Sequence, residues 1–346
     1  MNELLTPILT RLTRGVELLP EEIDAALAEI LEGRVDDVQV AGFIVALRTK
    51  GESVEELAAL VRTMHRYAEH VDVPEGAVDT CGTGGDRSGT INVSTMAALI
   101  AAGAGARVVK HGNSAQSSRC GSADVLEALG VAVGLGPEGV SRCVAEAGMG
   151  FCLAPRYHPA MRFVGPARKE LGVPPTFNFL GPLANPARVK RQAVGVSDET
   201  MATRMLGALR VLGAEHAMVF HGDDGLDELT TATTSTVHSL ADGEVRSYTL
   251  DPLDLGIPRA SADTLSGGDA AANAAAVHAV LSGEKGSHRD IAVLNAAAAL
   301  VVAGIAPDLG AGVESACSSI DDGRAARALE ALVRVSNAAA AVEQVG

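Results

Sequence analysis

The spacing of apolar residues over the first 70 positions is helical throughout. Leucine and isoleucine recur every three or four residues from Leu5, and again from Ile23 after Pro20, a residue that suits a first helical turn. Ser53 and Glu56 form a capping box before a further apolar face. The run 71–76 (VDVPEG) then breaks the pattern. We therefore predict a small all-helical domain over residues 1–72.

From residue 77 the pattern alternates between short apolar strands and longer amphipathic helices. The predicted strands are 77–81, 107–110, 150–153, 192–196 and 216–221. The predicted helices between them are 94–104, 122–129, 138–147, 159–171 and 199–212. This alternation predicts a largely parallel sheet covered by helices on both faces.

The alternation lapses after the last of these strands. Segments 236–240 and 245–249 flank a short turn and predict an antiparallel hairpin. The alanine-rich tail from Asp269 is helical again. The fold class is therefore α/β: a small helical N-terminal domain is followed by a larger, mostly parallel α/β domain over 77–346 that includes the hairpin.

Composition narrows the class of protein. Hydrophobic residues make up 47% of the 346 residues, which is ample for packed cores, and 3% aromatics with no Trp imply cores of Ala, Val and Leu. No segment approaches the roughly 18 apolar residues of a membrane span. The N-terminus contains Glu3 and is amphipathic, unlike a signal peptide. We expect a soluble protein with no membrane partner.

The charge and the cysteine content exclude further classes of protein. A net charge of −15 without a dense Lys/Arg run argues against a nucleic-acid partner. Five cysteines with no CxxC spacing indicate reduced thiols and a cytoplasmic location. An acidic chain that binds an anion needs local positive charge from Lys or Arg side chains, helix N-termini or a metal.

A glycine-rich run, DTCGTGGD at 79–86, follows the first predicted strand. Glycines there let backbone N–H groups approach an anion closely, although a structural strand-to-helix turn explains the run equally well. The next helix opens with small polar residues, including Asn92, Ser94 and Thr95. A helix start of this kind suits a phosphate, and simple capping by Asn92 or Ser94 is the alternative.

A second strand–loop–helix unit repeats the arrangement. Lys110 follows a Val-Val strand and so lies at the carboxyl edge of the sheet, where open parallel sheets bind ligands. The run 117–124 (SSRCGSAD) is a second small-residue loop at a helix start. Two consecutive units of this kind predict a site for a sugar that carries several phosphates.

Asp227 and Glu228 lie in an acidic run after the apolar strand that ends at Phe220. Adjacent carboxylates in such a loop suit Mg²⁺, which binds oxygen ligands and substrate phosphates. A solvated acidic turn is the alternative. The phosphate site in the same sheet favours magnesium.

In order, these motifs resemble the anthranilate phosphoribosyltransferase family. They are GTGGD from Gly82, KHGN from Lys110, HPAM from His158, FNFLGPLANP from Phe177 and HGDDGLDE from His221. The resemblance covers nearly the whole chain. It implies the fold of the pyrimidine nucleoside phosphorylases, with a helical domain completed by a segment near 168–190, and a homodimer formed through the helices. It also implies transfer of phosphoribosyl from phosphoribosyl pyrophosphate to anthranilate, in tryptophan biosynthesis.

The resemblance also assigns residues to each ligand. The phosphoribosyl donor would be held by Gly82, Gly85, Asp86, Thr90, Asn92, Val93, Ser94, Thr95, Lys110, His111, Gly112, Asn113, Ser117, Ser118 and Ser122. Anthranilate would be held by Gly82, Asn113, His158 and Arg168, with Arg168 on its carboxylate. Magnesium would be held by Ser94, Asp227 and Glu228. Ser114 and Ala184 depart from the family pattern, which has Arg and Thr there.

No dedicated catalytic acid or base is expected, because an aromatic amine is neutral at pH 7 and keeps its lone pair. His158 either shapes the anthranilate entry or transfers a proton, and Arg156 and Tyr157 are expected to line the aromatic pocket. A pyrimidine nucleoside phosphorylase is the alternative enzyme. A catalytically silent relative that binds nucleic acid or a regulatory ligand is the alternative of another class.

Overall fold

The structure, a computed structural model, describes residues 2–115, 119–172 and 176–344. These residues form a seven-stranded sheet with the order β3-β2-β1-β4-β5-β6-β7. Its strands are β1 Val78–Gly82, β2 Val108–Gly112, β3 Met149–Leu153, β4 Arg191–Gly195, β5 His216–Gly222, β6 Ser235–Ala241 and β7 Glu244–Leu250. Strands β1 to β5 are parallel, and β6 and β7 are antiparallel.

The strand order reverses at β1. The chain runs outward from β1 through β2 to β3 and then returns to the other side of β1 to form β4. The connections on the two sides diverge at such a point and leave a crevice at the carboxyl ends of the strands. The topology therefore places the expected ligand site above β1 and β4.

Helices surround the sheet and form a separate group at the N-terminus. The N-terminal group is α1 Leu5–Leu12, α2 Pro20–Leu31, α3 Asp37–Lys50 and α4 Val54–Tyr67. The helices between strands are α5 Val93–Gly103, α6 Ser122–Ala128, α7 Pro137–Ala147, α8 Ala154–Tyr157, α9 Gly165–Leu171, α10 Phe177–Leu183 and α11 Glu199–Val211. The C-terminal helices are α12 Ala270–Leu281, α13 Ser287–Val302, α14 Leu309–Asp321 and α15 Arg324–Glu343.

The predicted parallel strands and the hairpin are confirmed, with ends that differ by no more than two residues. The hairpin turns at Asp242 and Gly243, both of which have positive φ, as a tight two-residue turn requires. The predicted helix over 159–171 is wrong. It is a 3₁₀ turn, Pro159–Phe163, followed by α9. Pro166 near the start of α9 has no N–H to continue the earlier turn, so the helix restarts there.

Small side chains allow the helices to pack closely on the sheet. Every residue of α5 from Thr95 to Ala102 is buried, and α5 packs against α13, whose alanines are also buried. A Cβ on Gly103 would lie 2.5 Å from the backbone nitrogen of Ala325. This core of alanine and valine explains how the fold manages with so few aromatic residues.

A second apolar cluster lies around the N-terminal helices. The buried faces of α1 to α4 pack with apolar residues of α9, α10 and α11. The short helix α10 therefore lies between the N-terminal helices and the sheet, because it also contacts β2. Within the described ranges, every helix is too short or too polar to cross a bilayer.

Candidate active site at the carboxyl edge of the sheet

Two paired glycines make room for the acidic loop, residues 223–229, which follows β5. Gly82 of β1 lies opposite Gly195 of β4. A Cβ on Gly82 would lie 2.2 Å from Asp227 Oδ2, and a Cβ on Gly195 would lie 1.8 Å from the backbone oxygen of Asp227. The loop therefore crosses both strand ends in contact with their backbones, and a larger residue at either position would displace it.

A buried asparagine on α13 holds this loop from the other side. The Asn295 side chain accepts a hydrogen bond from the Leu229 N–H at 2.9 Å and donates one to the Leu229 carbonyl at 2.9 Å. Both polar groups of the peptide unit are thereby satisfied inside the core. Asn295 was not among the predicted site residues. Its only signal was an amide within an apolar helix.

The carboxylates of Asp227 and Glu228 reach the two loops predicted to bind phosphate. The Gly84 N–H donates to Asp227 Oδ2 at 2.6 Å, and the Ser94 N–H donates to Glu228 Oε1 at 3.1 Å. Burial raises the pKa of both carboxyls, and Asp86 adds electrostatic repulsion. Both carboxylates can therefore stay ionised in this buried site only if a cation compensates their charge.

The ligand chemistry of this cluster fits magnesium. Asp86, Asp227 and Glu228 offer only hard oxygen atoms, and Asp86 Oδ2 is buried without a hydrogen-bond partner. In the part of the chain that the structure describes, no three His, Cys, Asp or Glu side chains are arranged to hold a metal alone. Mg²⁺ is commonly bound by one or two carboxylates together with substrate phosphates and water. The cluster therefore suits a magnesium ion that binds with a phosphorylated substrate.

The glycine-rich loop turns sharply before α5. Gly84 and Gly85 have φ values of +69° and +86°, which a residue with a Cβ rarely adopts. Further along, the Thr90 carbonyl lies against Gly267, where a Cβ would come within 2.6 Å. The Thr90 hydroxyl lies 3.2 Å from Ser88 Oγ. The loop is thus held at both ends, and Gly85 and Asp86 lie between them.

The start of α5 carries polar atoms that no protein group satisfies. Asn92 occupies the N-cap position, but its side chain makes no capping bond. Its Nδ2 donates to the Cys120 carbonyl at 3.3 Å, whereas Asn92 Oδ1 and the hydroxyl of Thr95 are buried without partners. The first helical residue, Val93, is buried. Simple capping thus does not explain these side chains. A bound ligand would explain them, because it would supply the missing hydrogen-bond partners.

Lys110 is buried at the centre of the site. Its Nζ donates to the Thr80 carbonyl at 2.6 Å and to Ser94 Oγ at 3.1 Å. The ammonium group also lowers the pKa of the neighbouring Glu228 carboxyl, against the larger effect of burial. Lys110 thus joins β2 to the start of α5 and places one positive charge beside the acidic pair.

Asp79 is a buried carboxylate that the predicted site did not include. Its Oδ1 accepts from the His111 N–H at 3.2 Å and its Oδ2 from Asn185 Nδ2 at 2.8 Å. Burial raises the pKa of Asp79 to about 6, although Lys110 acts in the opposite direction. Asp79 therefore fixes the backbone between Lys110 and the following loop. An aspartate inside an apolar strand was the available signal.

The loop after β2 folds back on α6. The Ser122 hydroxyl donates to the Asn113 carbonyl at 3.2 Å, and a Cβ on Gly112 would lie 2.2 Å from Ser122 Oγ. Asp124 Oδ2 accepts from the backbone N–H groups of Ala115 and Gly121. The structure thus brings Gly112, Asn113 and Ser122 together. The predicted donor residues Ser117 and Ser118 lie outside the described residues.

Two buried histidines lie under α10. His111 Nδ1 is 3.0 Å from the Gly181 carbonyl, His158 Nε2 is 2.9 Å from the Ala184 carbonyl, and the ring centroids are 5.1 Å apart. Burial lowers the pKa of His111 to about 3 and that of His158 to about 4. Both rings are therefore neutral near pH 7. Tyr157 does not line a pocket as expected, because it is fully buried with its hydroxyl bonded to the Leu135 carbonyl.

Arg168 lies against the first turn of α10. Its Nη2 donates to Asn178 Oδ1 at 3.0 Å, and its guanidinium carbon lies 5.9 Å from the centroid of the Phe177 ring. Burial lowers the pKa of Arg168. Among the described residues, no carboxylate acts on the pKa of this guanidinium, which burial alone lowers. A half-buried guanidinium without an acidic partner is a suitable site for a ligand carboxylate.

The two departures from the family motifs lie in different surroundings. Ser114 is exposed, and its N–H donates to Asn113 Oδ1 at 2.9 Å. Ala184 is fully buried in the cluster around the N-terminal helices, and its carbonyl faces His158. Ser114 therefore changes a solvent-facing part of the loop, whereas Ala184 changes only core packing.

The unsatisfied polar atoms distinguish this edge from the rest of the molecule. Among the described residues, seven buried side-chain atoms have no hydrogen-bond partner, and four of them belong to Asp86, Asn92, Thr95 and His111. A groove of about 840 Å³ lies at the opposite edge, by His216 and the start of α14, and no such atom lines it. Buried polar atoms without partners are costly unless a ligand satisfies them. The carboxyl edge is therefore the better candidate site.

Two protein-family models match the chain, one over the N-terminal helices and one over the sheet with the helices around it. A model of the glycosyl transferase family, helical bundle domain, matches residues 6–68. A model of the glycosyl transferase family, a/b domain, matches residues 74–326.

Individual proteins resemble the whole chain. An anthranilate phosphoribosyltransferase from Salinispora arenicola is 50% identical over 340 residues, 96% of each chain. The crystal structure of the Thermus thermophilus enzyme of that name has a TM-score of 0.90 at 41% identity, covering 95% of this chain and 99% of its own. The Saccharomyces cerevisiae enzyme in complex with PRPP and Mg has a TM-score of 0.87 at 26% identity, covering 97% and 100%. Another structure of that yeast enzyme contains 4-fluoroanthranilate.

Proposed function

The chain belongs to the anthranilate phosphoribosyltransferase family, and we propose that the carboxyl-edge site performs the reaction of that family. The site moves the phosphoribosyl group of phosphoribosyl pyrophosphate to the amine of anthranilate and releases pyrophosphate, in tryptophan biosynthesis. The crossing of the acidic loop over Gly82 and Gly195 is the observation that carries this proposal. It brings two carboxylates to the glycine-rich loop and to the start of α5, where a polyphosphate and its cation would bind together.

We assign the phosphoribosyl donor to the loops around β1 and β2. The pyrophosphate lies over the loop from Gly84 to Asp86 and the start of α5, where Asn92 and Thr95 have unsatisfied polar atoms. Lys110 supplies the neighbouring positive charge. Ser94, Asp227 and Glu228 would hold the magnesium ion, and bound there it would neutralise the departing pyrophosphate.

We assign anthranilate, the acceptor of the phosphoribosyl group, to the space beside α10. Arg168 has donors to spare for a carboxylate, and Asn178 fixes the orientation of its guanidinium. Asn113 and Gly82 lie at the adjacent strand ends, and the neutral His158 ring borders α10. In this arrangement anthranilate binds with its carboxylate on Arg168 and its amine toward the donor.

The chemistry requires no side chain to act as a strong base. The amine attacks C1 of the ribose with its own lone pair while the bond from C1 to pyrophosphate breaks, and the product nitrogen then loses its proton to the released pyrophosphate or to water. Burial lowers the pKa of His111 to about 3 and that of His158 to about 4, so neither ring is a strong base. The chain therefore contributes mainly by holding two substrates in line, by excluding water and by stabilising the leaving charge with Lys110 and the start of α5.

We also propose a homodimer formed through the N-terminal helices. One face of α3 is buried, yet Val38 is 83% exposed and Val45 is 40% exposed on the same helix, with the partly exposed Ala41 between them. These residues are three and four positions apart, so they form one apolar stripe. A second copy that places the same stripe against this one would bury it.

We also propose the domain division and the cytoplasmic location that the sequence predicts. We divide the chain into a helical domain, 1–72 with a segment near 168–190, and an α/β domain, 77–346. The N-terminal helices share an apolar cluster with α9 and α10, which supports the inclusion of that segment. The five cysteines are all free thiols, which supports a cytoplasmic location.

A fluorescence assay tests the proposed function. Purified protein should remove the fluorescence of anthranilate only when both phosphoribosyl pyrophosphate and Mg²⁺ are present, with one pyrophosphate released per anthranilate consumed. Unchanged fluorescence with all components present would defeat the proposal. Phosphorolysis of a pyrimidine nucleoside in a parallel reaction without anthranilate would favour a nucleoside phosphorylase instead.

A further inference from the structure

A buried carboxylate from the N-terminal helices touches the segment that orients Arg168. Glu52 follows the end of α3, and its side chain is fully buried. Its Oε1 accepts a hydrogen bond from the hydroxyl of Thr176, and Thr176 itself is 1% exposed. Thr176 directly precedes α10, so this contact ties the start of α10 to the N-terminal helices.

Two arginines surround the same carboxylate. Arg48 Nη1 lies 3.3 Å from Glu52 Oε2, and Arg204 Nη1 lies 4.0 Å from it. The Arg48 guanidinium also lies 4.9 Å from the centroid of the Phe179 ring and donates to Asp198 Oδ2 at 2.7 Å. The carboxylate is therefore compensated, and its contacts link α10 to α11 as well as to α3.

The helix that these contacts hold is too short to maintain its own position. Helix α10 has seven residues, contains Pro182 and has no side-chain cap at its start. Helices of this length are unstable in isolation, so external contacts decide where α10 lies. Four consecutive residues make the contacts that hold α10 in place. Thr176 contacts Glu52, Phe177 and Asn178 contact Arg168, and Phe179 contacts Arg48.

We propose that Glu52 is a positioning residue for the acceptor site. Through Thr176 it fixes the first turn of α10, and Asn178 on that turn fixes the guanidinium of Arg168 that receives the anthranilate carboxylate. Glu52 itself does not touch either substrate. This inference rests on the proposed function, because it assigns Glu52 a role in binding the acceptor and none in binding the donor.

Steady-state kinetics of Glu52→Gln test the inference. A neutral amide would turn its oxygen to the two guanidiniums and its NH2 group to the Thr176 hydroxyl, so the charged hydrogen bond that holds Thr176 would be replaced by a weaker neutral one. We expect the KM for anthranilate to rise about tenfold, as for loss of a charged hydrogen bond, with the KM for phosphoribosyl pyrophosphate within about twofold of the wild type. Thr176→Val should likewise raise the KM for anthranilate and not the KM for phosphoribosyl pyrophosphate. Thr176→Ser keeps the hydroxyl, so both KM values should stay as in the wild type.

Glu56→Gln is the matched control. Glu56 is an equally buried carboxylate four positions along the chain, but it bonds Lys50 and the backbone of Leu18 and Ser53. Within the part of the chain that the structure describes, none of these bonds reaches α10, so its variant should lose stability without raising the anthranilate KM relative to the donor KM. An equal split in Glu56→Gln would overturn the inference, because the effect would then be general destabilisation.

A double-mutant cycle with Arg168→Ala separates positioning from independent structural effects. If Glu52 acts through Arg168, the pair Glu52→Gln and Arg168→Ala should have the anthranilate KM of Arg168→Ala alone. Multiplied effects would defeat the inference while leaving the proposed function intact. Absence of wild-type turnover would defeat the proposed function first, and the inference with it.

Discussion

Among single residues, Gly195 meets the strictest steric requirement in the site. A Cβ there would lie 1.8 Å from the backbone oxygen of Asp227, so Gly195→Ala must push the acidic loop away. Misplacement of catalytic groups by about 1 Å can cost on the order of 100-fold in rate. We therefore expect kcat/KM for the donor to fall by about that factor at every Mg²⁺ concentration tested, with the fold retained.

The control for this variant is Gly134→Ala. A Cβ at Gly134 would meet no heavy atom within 4 Å, so its replacement should leave the kinetics unchanged. Wild-type donor kinetics in Gly195→Ala would contradict the placement of the acidic loop.

The burial of a second single residue, His158, can be tested by the pH dependence of the free energy of unfolding. Burial lowers the pKa of His158 to about 4, from an unfolded value near 6.5, so only the unfolded chain takes up a proton as the pH falls below 6.5. The stabilisation from the neutral ring is complete above pH 6.5 and is lost as the pH falls toward 4. Between pH 7 and pH 5 the wild type should lose about 2 kcal/mol of unfolding free energy relative to His158→Gln.

Denaturant unfolding of both proteins across this pH range measures the difference. The wild type and His158→Gln share every other titrating group, so these groups largely cancel in the comparison. A difference that does not change with pH would show that His158 titrates normally and is not buried as described.

Motifs along the chain predicted which residues meet in the site, but not what holds them there. Ser94 and Lys110 could be inferred because Ser94 begins a predicted helix and Lys110 lies at the carboxyl end of a predicted strand. Asp79 and Asn295 could not, because their roles depend on partners more than 30 and 60 positions away in sequence. A pattern of apolar residues does not encode such tertiary contacts.

Among the elements, α13 has the most direct effect on the acidic loop. Asn295→Leu would leave both the N–H and the carbonyl of Leu229 buried without partners, at a cost of about 1–3 kcal/mol for each group. We expect a lower Tm and weaker binding of phosphoribosyl pyrophosphate with Mg²⁺ by calorimetry, since Asp227 and Glu228 lie in the same loop.

Ser319→Ala on α14 separates these two effects. Ser319 is a fully buried side chain on another helix, and its hydroxyl donates to the Ile100 carbonyl at 2.8 Å. Its variant should also lose stability but should bind the donor as the wild type does. Equal loss of donor affinity in both variants would argue against a specific role for α13.

The segment that contains the 3₁₀ turn and α9, and the short helix α10 that follows it, could not be predicted from the sequence pattern. The sequence predicted one long helix over 159–171 and no helix at α10. Gly165 and Pro166 end the first continuous pattern, and α10 contains both Gly181 and Pro182. Helix α10 forms because carbonyls in and just after its last turn meet His111, His158 and Gln192 and because its rings are buried. These contacts come from distant parts of the chain.

At the scale of the whole molecule, the exposed stripe on α3 bears on the assembly. If Val38 and Val45 face a second copy, the double variant Val38→Glu, Val45→Glu places like charges in a buried contact and should halve the mass measured by light scattering. Val211→Glu and Val342→Glu, at exposed valines on other helices, should leave the mass unchanged. A monomeric wild type would contradict the dimer.

The sheet topology brings the two substrate sites to one edge, and locating the ligands there is the most direct test. A crystal structure with phosphoribosyl pyrophosphate and Mn²⁺ in place of Mg²⁺ would locate the metal by its anomalous signal. We predict a peak about 2.2 Å from oxygen atoms of Asp227 or Glu228 and of the donor, with the pyrophosphate over the start of α5. A metal and donor elsewhere, such as in the groove beside His216, would contradict the account.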